Sequence, residues 1–346
     1  MHPSLQRYSL LICFLLLYVS FLLTDWWIIK FSNIRVPGFV DLKYAFSAGE
    51  LCGYVFPTSA ESLAAILFSN DCSSYVYGTP MMLVGLAVSP STINSDWIFP
   101  LGVFFGALLV IALSWLANMM RPLTHRRLFL VGCFLFSPPT ILLLERANID
   151  LLVALALIGA GFFLSRQRDL LSLLLVFLTV LVKFYTLPLL LLMVFLVKST
   201  AGRGLAILLS GLATMQTLLE FERVRQVIPE GGQVQFGFSV FPHYLEYFGI
   251  DSYSSLLTTL GFVLPVAAAL FLLYRKRRTS FFLPQDLKVD PAWSPIEILT
   301  SATFLVTYFA GLSYDYRLLF LAICGVLFMA RRDASEPGVK VLWGLL

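Results

Sequence analysis

Charge is scarce in this sequence: 24 basic and 20 acidic side chains make up 13% of 346 residues, against 59% hydrophobic residues. A soluble domain must clothe its surface in polar groups, and a mean hydropathy of +0.86 over the whole chain excludes one. Paired acids of the D-x-D kind are missing, which argues against a tightly held divalent metal. No His, Cys and carboxylate spacing reads as a zinc or iron site, no glycine-rich loop follows a strand, and no serine-nucleophile motif occurs. No metal and no cofactor are therefore expected, and a net charge of +4 offers no case for a nucleic-acid partner. Internal repeats and low-complexity tracts are missing too.

What the chain has is long apolar runs, and these predict an all-α polytopic membrane protein. The run from Ser9 to Ile29 is longer than the h-region of a signal peptide and ends in Asp25-Trp26-Trp27 rather than a small-residue cleavage site, so it is expected to stay as a first span. Arg7 before it places the N-terminus in the cytoplasm. Residues 30–97 form a first extracytoplasmic loop with short interfacial helices, one opened by the capping-box pattern Thr58-Ser59-Ala60-Glu61. Ile98–Met120 crosses back to the basic run Arg121, His125, Arg126 and Arg127; Leu128–Leu144 goes out, and Ile149–Leu164 returns to Arg166 and Arg168.

The apolar run Leu170–Val197 is then decisive. As one helix of about 28 residues it would measure about 42 Å, too long for a hydrocarbon core of about 30 Å. It would also strand Lys198, Arg203 and the cluster Arg275-Lys276-Arg277-Arg278 outside, against the positive-inside tendency. The sequence thus predicts a break at Lys183 to Pro188. Leu205–Leu219 goes out, 220–251 is a second extracytoplasmic loop, Leu256–Tyr274 returns, and 279–295 is a cytoplasmic loop. Glu297–Leu312 and Leu318–Ala330 complete about ten crossings in one integral-membrane domain spanning 1–346, with both termini cytoplasmic.

This topology puts the unusual polar residues on the outer side: Asp41, then Glu145, Arg146, Asn148 and Asp150 at one hairpin tip, Lys183 and Tyr185 at the next, His243, and finally Asp315, Tyr316 and Arg317. Arg146, Lys183 and Arg317 stand at three separate outer helix ends, where together they would hold a phosphate or diphosphate. Arg146 could instead pair with Glu145 or Asp150, and Arg317 with Asp315, whereas Lys183 has no acid close by in sequence and must find its partner elsewhere. Asp41, beside the membrane surface, is available as a general base for a hydroxyl acceptor, with His243 the weaker alternative. Cys52 and Cys72 share the first outer loop and form a candidate disulfide.

The first loop carrying Asp41, the tip Glu145-Arg146-Ala147-Asn148-Ile149-Asp150, the segment Leu181-Val182-Lys183-Phe184-Tyr185 with Pro188, and the turn Asp315-Tyr316-Arg317 together resemble the GT-C superfamily of integral-membrane glycosyltransferases. The likeness is greatest to the GT87-like, polyprenyl-phosphate-sugar-dependent mannosyltransferase group. It implies a sugar donor on a polyprenyl phosphate, a glycan or glycolipid acceptor in the cell envelope, and inverting transfer on the extracytoplasmic face of the cytoplasmic (inner) membrane. Asp41 would be the base, and Arg146, Lys183 and Arg317 the donor-phosphate contacts. The first loop lacks the paired acids many such enzymes carry, and Ala147 stands where the family's tip would have Gly. A transporter or flippase for lipid-linked sugars could use the same cations; a non-catalytic scaffold of an envelope assembly is a third reading.

Overall fold

The computed structural model describes residues 3–23, 40–46, 79–88, 95–118, 137–227, 235–236, 293–309, 313–314 and 318–331, with isolated residues at 57, 59, 61 and 132. The described chain is α-helical apart from one short ladder. In order it forms α1 (Pro3–Leu23), α2 (Val40–Phe46), α3 (Thr79–Val88), α4 (Ser95–Asn118), α5 (Pro138–Arg146), α6 (Asp150–Ser165), α7 (Asp169–Val182), α8 (Leu187–Leu196), α9 (Thr200–Val227), β1 (Gln235–Phe236), α10 (Trp293–Phe309), β2 (Ser313–Tyr314) and α11 (Leu318–Arg331).

The long apolar run breaks where its length requires. α7 ends at Val182, Lys183 takes an extended backbone (φ −139°, ψ 107°), and a single 3₁₀ turn, Phe184–Thr186, leads into α8. Thr186 ties the turn by donating from its Oγ1 to the Lys183 carbonyl at 2.8 Å. Pro188 lies in the first turn of α8, where its missing N–H loses no helical bond. As one straight helix, Asp169 and Ser199 would be about 45 Å apart. Ser199 Oγ instead donates to Asp169 Oδ2 at 2.6 Å, so α7 and α8 are the arms of a hairpin whose tip is Lys183–Thr186.

Close packing fixes the neighbours. A Cβ on Gly161 of α6 would lie 2.5 Å from Ile296 Cγ1 and 2.7 Å from its Cα and N, so α6 and α10 touch through backbone, the end of one beside the start of the other. The rings of Trp115 and Phe162 meet edge to face at 5.6 Å, bringing the end of α4 to the end of α6. Tyr18 of α1 is buried, donates to the Val103 carbonyl at 3.2 Å, and lies against Gly106, where any side chain would strike its hydroxyl. Thr300 and Ser301 of α10 approach Cys324 Sγ of α11 at 3.3 and 3.1 Å.

Two helix ends use the same stop. After α5, Ala147 adopts the left-handed conformation (φ 43°, ψ 46°), and the N–H groups of Ala147 and Asn148 return to the carbonyls of Leu144 and Leu143. After α6, Gln167 does likewise (φ 58°), with Gln167 and Arg168 donating to Leu164 and Phe163. This terminator prefers glycine, because a Cβ in that region costs about 1–2 kcal/mol. The absence of Gly at 147 is therefore a local strain rather than a different backbone. Since Gln167 is exposed, Gln167→Gly relieves the strain without emptying the core, and is expected to stabilise the protein by about 0.5–1 kcal/mol, read as a raised melting temperature in detergent.

Among the described residues one helix segment, Ile98–Leu116 within α4, is long and apolar enough to cross a membrane by itself. α5 and α6 pass the same test as a pair but meet at 112°, so the described part of the segment expected to run outward before the tip is an elbow rather than an antiparallel arm. Large apolar side chains stand exposed around the helices: Leu16 on α1, Phe104 on α4, Leu178 on α7, Phe195 on α8, Met215 and Leu218 on α9.

Several boundaries differ from the sequence expectation. α9 continues through Glu220 to Val227, into what the sequence assigns to the second outer loop, and Glu220 is buried, accepting a hydrogen bond from Gln216 Nε2 at 3.0 Å. Arg, Glu and Gln are good helix formers, so the charges that end the apolar run do not end the helix. α10 starts at Trp293, inside the expected cytoplasmic loop. Asp41 sits on a helix, α2, rather than in irregular loop.

Candidate functional site

The elbow that opens α6 and the tip of the α7–α8 hairpin meet. Asp150 opens α6 immediately after the Ala147 stop, and its position in the first turn places a negative charge where the helix dipole favours it. Asn148 supports that start: its Oδ1 accepts from the Asp150 backbone N–H at 2.9 Å. Asp150 is only 1% exposed, a burial that an ionised carboxylate tolerates only with partners. Two come from the tip of the α7–α8 hairpin. Tyr185 donates its hydroxyl to Asp150 Oδ1 at 2.8 Å across 35 residues of sequence, and Lys183 Nζ stands 3.8 Å from the same oxygen.

This answers the question Lys183 posed: its partner is the acid of the neighbouring tip. The separation exceeds the roughly 2.7–2.9 Å of a tight charge-assisted bond, so the ammonium neutralises the carboxylate without being clamped to it. Glu145 is fully buried in the last turn of α5, and Arg146 beside it is half-buried. Thus Glu145, Arg146, Asn148, Asp150, Lys183 and Tyr185 belong to one end of the bundle.

Two other expected contributors come near through their elements. α2, which carries Asp41, packs against α3, α4 and α5. β1 and β2 pair antiparallel, Gln235 opposite Tyr314 and Phe236 opposite Ser313, which joins residues 235–236 to the segment after α10. Because α10 runs antiparallel to α6, that segment begins at the Asp150 end. Asp315, Tyr316, Arg317, His243, Cys52 and Cys72 lie outside the described residues, as does the expected interfacial helix after Glu61. Among the described residues no cluster of three His, Cys, Asp or Glu could hold a metal ion.

The opposite end of α6 and α7 is basic. Arg166, Arg168, Lys198 and Arg203 are exposed there, beside the Asp169–Ser199 hydrogen bond. Between α8 and α9 runs an open groove of about 640 Å³ lined by Leu191, Val194, Ile207, Met215 and Leu218, with Ser210 and Thr214 on its α9 wall. The Asp150–Lys183–Tyr185 contact, the β1–β2 ladder and this groove have no local sequence signal; the nearest hint was an apolar-run lysine with no acid within reach.

No protein-family model, no curated protein and no solved structure matches the chain.

Proposed function

We propose that the chain is a polytopic glycosyltransferase of the cytoplasmic membrane, of GT-C type with about ten crossings, that moves a sugar from a polyprenyl-phosphate donor to an envelope glycan or glycolipid. The observation that carries this reading is the convergence of the α5–α6 elbow and the α7–α8 tip on a buried Asp150–Lys183–Tyr185 contact. Ionisable groups so enclosed by apolar helices are a mark of function rather than of stability. The exposed leucines and phenylalanines around the bundle support lipid surroundings, since no soluble protein displays so much apolar surface without a partner to cover it.

In this mechanism the acceptor hydroxyl attacks the anomeric carbon and passes its proton to the Asp41 carboxylate. The bond from that carbon to the phosphate oxygen breaks, its electron pair leaves with polyprenyl phosphate, and the configuration inverts. Lys183, with Arg146 and Arg317, stabilises the charge on the departing phosphate. Asp150 and Tyr185 orient Lys183, and the groove beside α8 offers an apolar bed for the lipid chain.

The test is sugar transfer in membranes supplied with a panel of radiolabelled polyprenyl-phosphate sugars. Wild type transfers one of them; Asp41→Asn binds that donor but loses about 10²–10⁴ in rate, the usual contribution of a general base. Undiminished transfer by Asp41→Asn would move the base to His243. No transfer with any donor, joined to Lys183-dependent movement of labelled lipid between leaflets, would make the protein a flippase instead.

A further inference from the structure

Away from the tips, the helix end formed by the turn 166–168 and the segment 197–203 is assembled with more care than orientation in a membrane requires. Two stretches 30 residues apart are pinned together: Ser199 donates from both its hydroxyl and its backbone N–H to Asp169 Oδ2, at 2.6 and 3.3 Å, and its Oγ accepts from the Gly202 N–H at 3.1 Å. Gly202 is obligatory in this clasp, because a Cβ there would lie 2.5 Å from Val197 Cγ1 and 2.6 Å from Ser199 Oγ.

The clasp sets four cations side by side, and two of them are pre-oriented. Arg166 lies over the Phe162 ring, 5.4 Å from its centroid, and Arg203 donates from Nε to the Val197 carbonyl at 3.0 Å, which turns the rest of its guanidinium outward. Arg168 and Lys198 flank them, exposed. The carboxylate at this end, Asp169, is already engaged by Ser199, and among the described residues no carboxylate forms a salt bridge with any of the four. Like charges gathered at one helix end repel one another unless an anion joins them.

We infer that this end is a binding site for the phosphate headgroups of anionic phospholipids in the leaflet it faces. The chemistry is that of phosphate recognition: guanidinium forks presented beside a lysine point charge. The exposed apolar side chains of Leu170, Leu171 and Ile207, on the α7 and α9 turns next to the clasp, supply the surface along which the acyl chains of such a lipid lie. The inference shares with the proposed function only the membrane setting, and its test contains no sugar donor.

Purified full-length protein in neutral detergent would be titrated with short-chain phosphatidylglycerol, short-chain phosphatidylcholine and inorganic phosphate, with thermal stabilisation as readout. Stabilisation is expected from phosphatidylglycerol alone. Arg166→Gln/Arg168→Gln/Lys198→Gln, which spares the structural Arg203 contact, should weaken its apparent affinity on the order of a hundredfold, from about 1 kcal/mol per cation. Lys198→Gln alone should weaken it about fivefold by the same conversion, and serves if the triple variant does not fold. Removing three charges elsewhere, in Lys43→Gln/Arg223→Gln/Arg225→Gln on α2 and at the far end of α9, should leave most of the affinity. Equal losses from the two triple variants, equal stabilisation by phosphatidylcholine, or phosphate binding as tight as the lipid would each overturn the inference.

Discussion

Asp150→Ala is expected to destabilise the protein by about 3–5 kcal/mol, the range for removing one partner of a buried charge pair. The alanine takes the Asp150 carboxylate away from the Lys183 ammonium, about nine-tenths buried, and withdraws the oxygen that the Tyr185 hydroxyl reaches at 2.8 Å. Tyr185→Phe removes a single hydrogen bond and should cost only about 1 kcal/mol. The contrast separates charge from hydrogen bonding at this tip. Lys183→Met is expected to be milder than Asp150→Ala, since Tyr185 still donates to the remaining carboxylate. The double variant Asp150→Ala/Lys183→Met, which removes both charges, should recover most of the lost stability while failing to bind a lipid phosphate. Melting temperatures of the four proteins in one detergent would check this; additive losses in the double variant would mean that the two groups do not interact.

Gly161→Leu should be nearly as damaging, by overpacking. A Cβ at this position already falls 2.7 Å from the backbone of Ile296, and backbone within a helix cannot turn aside as a side-chain tip can. The leucine must therefore push α10 away from α6, at a cost of about 1–3 kcal/mol or more. Since the Ser313–Tyr314 strand follows α10, the displacement also moves that strand relative to Asp150, so activity should fall further than stability alone explains. Gly204→Leu is the matched control: nothing lies within 4 Å of a Cβ there, and its effect on melting should be within about 0.5 kcal/mol.

How far the sequence reaches is clear from particular residues. The break at Lys183 was legible because chain length against bilayer thickness is arithmetic, and the proline confirmed where a new helix would begin. The sharing of one end by the Asp150 and Lys183 tips was legible from topology, by counting which way each apolar run must go. Their contact was not, because a pair formed across 33 residues (183 − 150) leaves nothing for a local pattern to register. The 112° elbow before Asp150 was hidden for a related reason: apolar composition says that a helix is buried but not at what angle it arrives. At Ala147 the residue type itself misled, since the left-handed stop is in place without the glycine that would advertise it. In α9, charged helix formers extended the helix beyond the apolar run that marked it.

The two ends of the bundle are expected to face opposite sides of a membrane, with the Asp150–Lys183 end outward. Single cysteines at Pro188, exposed one turn from the Lys183 tip, and at Lys198, exposed at the basic end, would be placed in a protein whose native cysteines are replaced by serine. A membrane-impermeant maleimide should label Pro188→Cys in intact spheroplasts and Lys198→Cys only after permeabilisation. Labelling of both in intact spheroplasts, or of Lys198→Cys alone, would contradict the account.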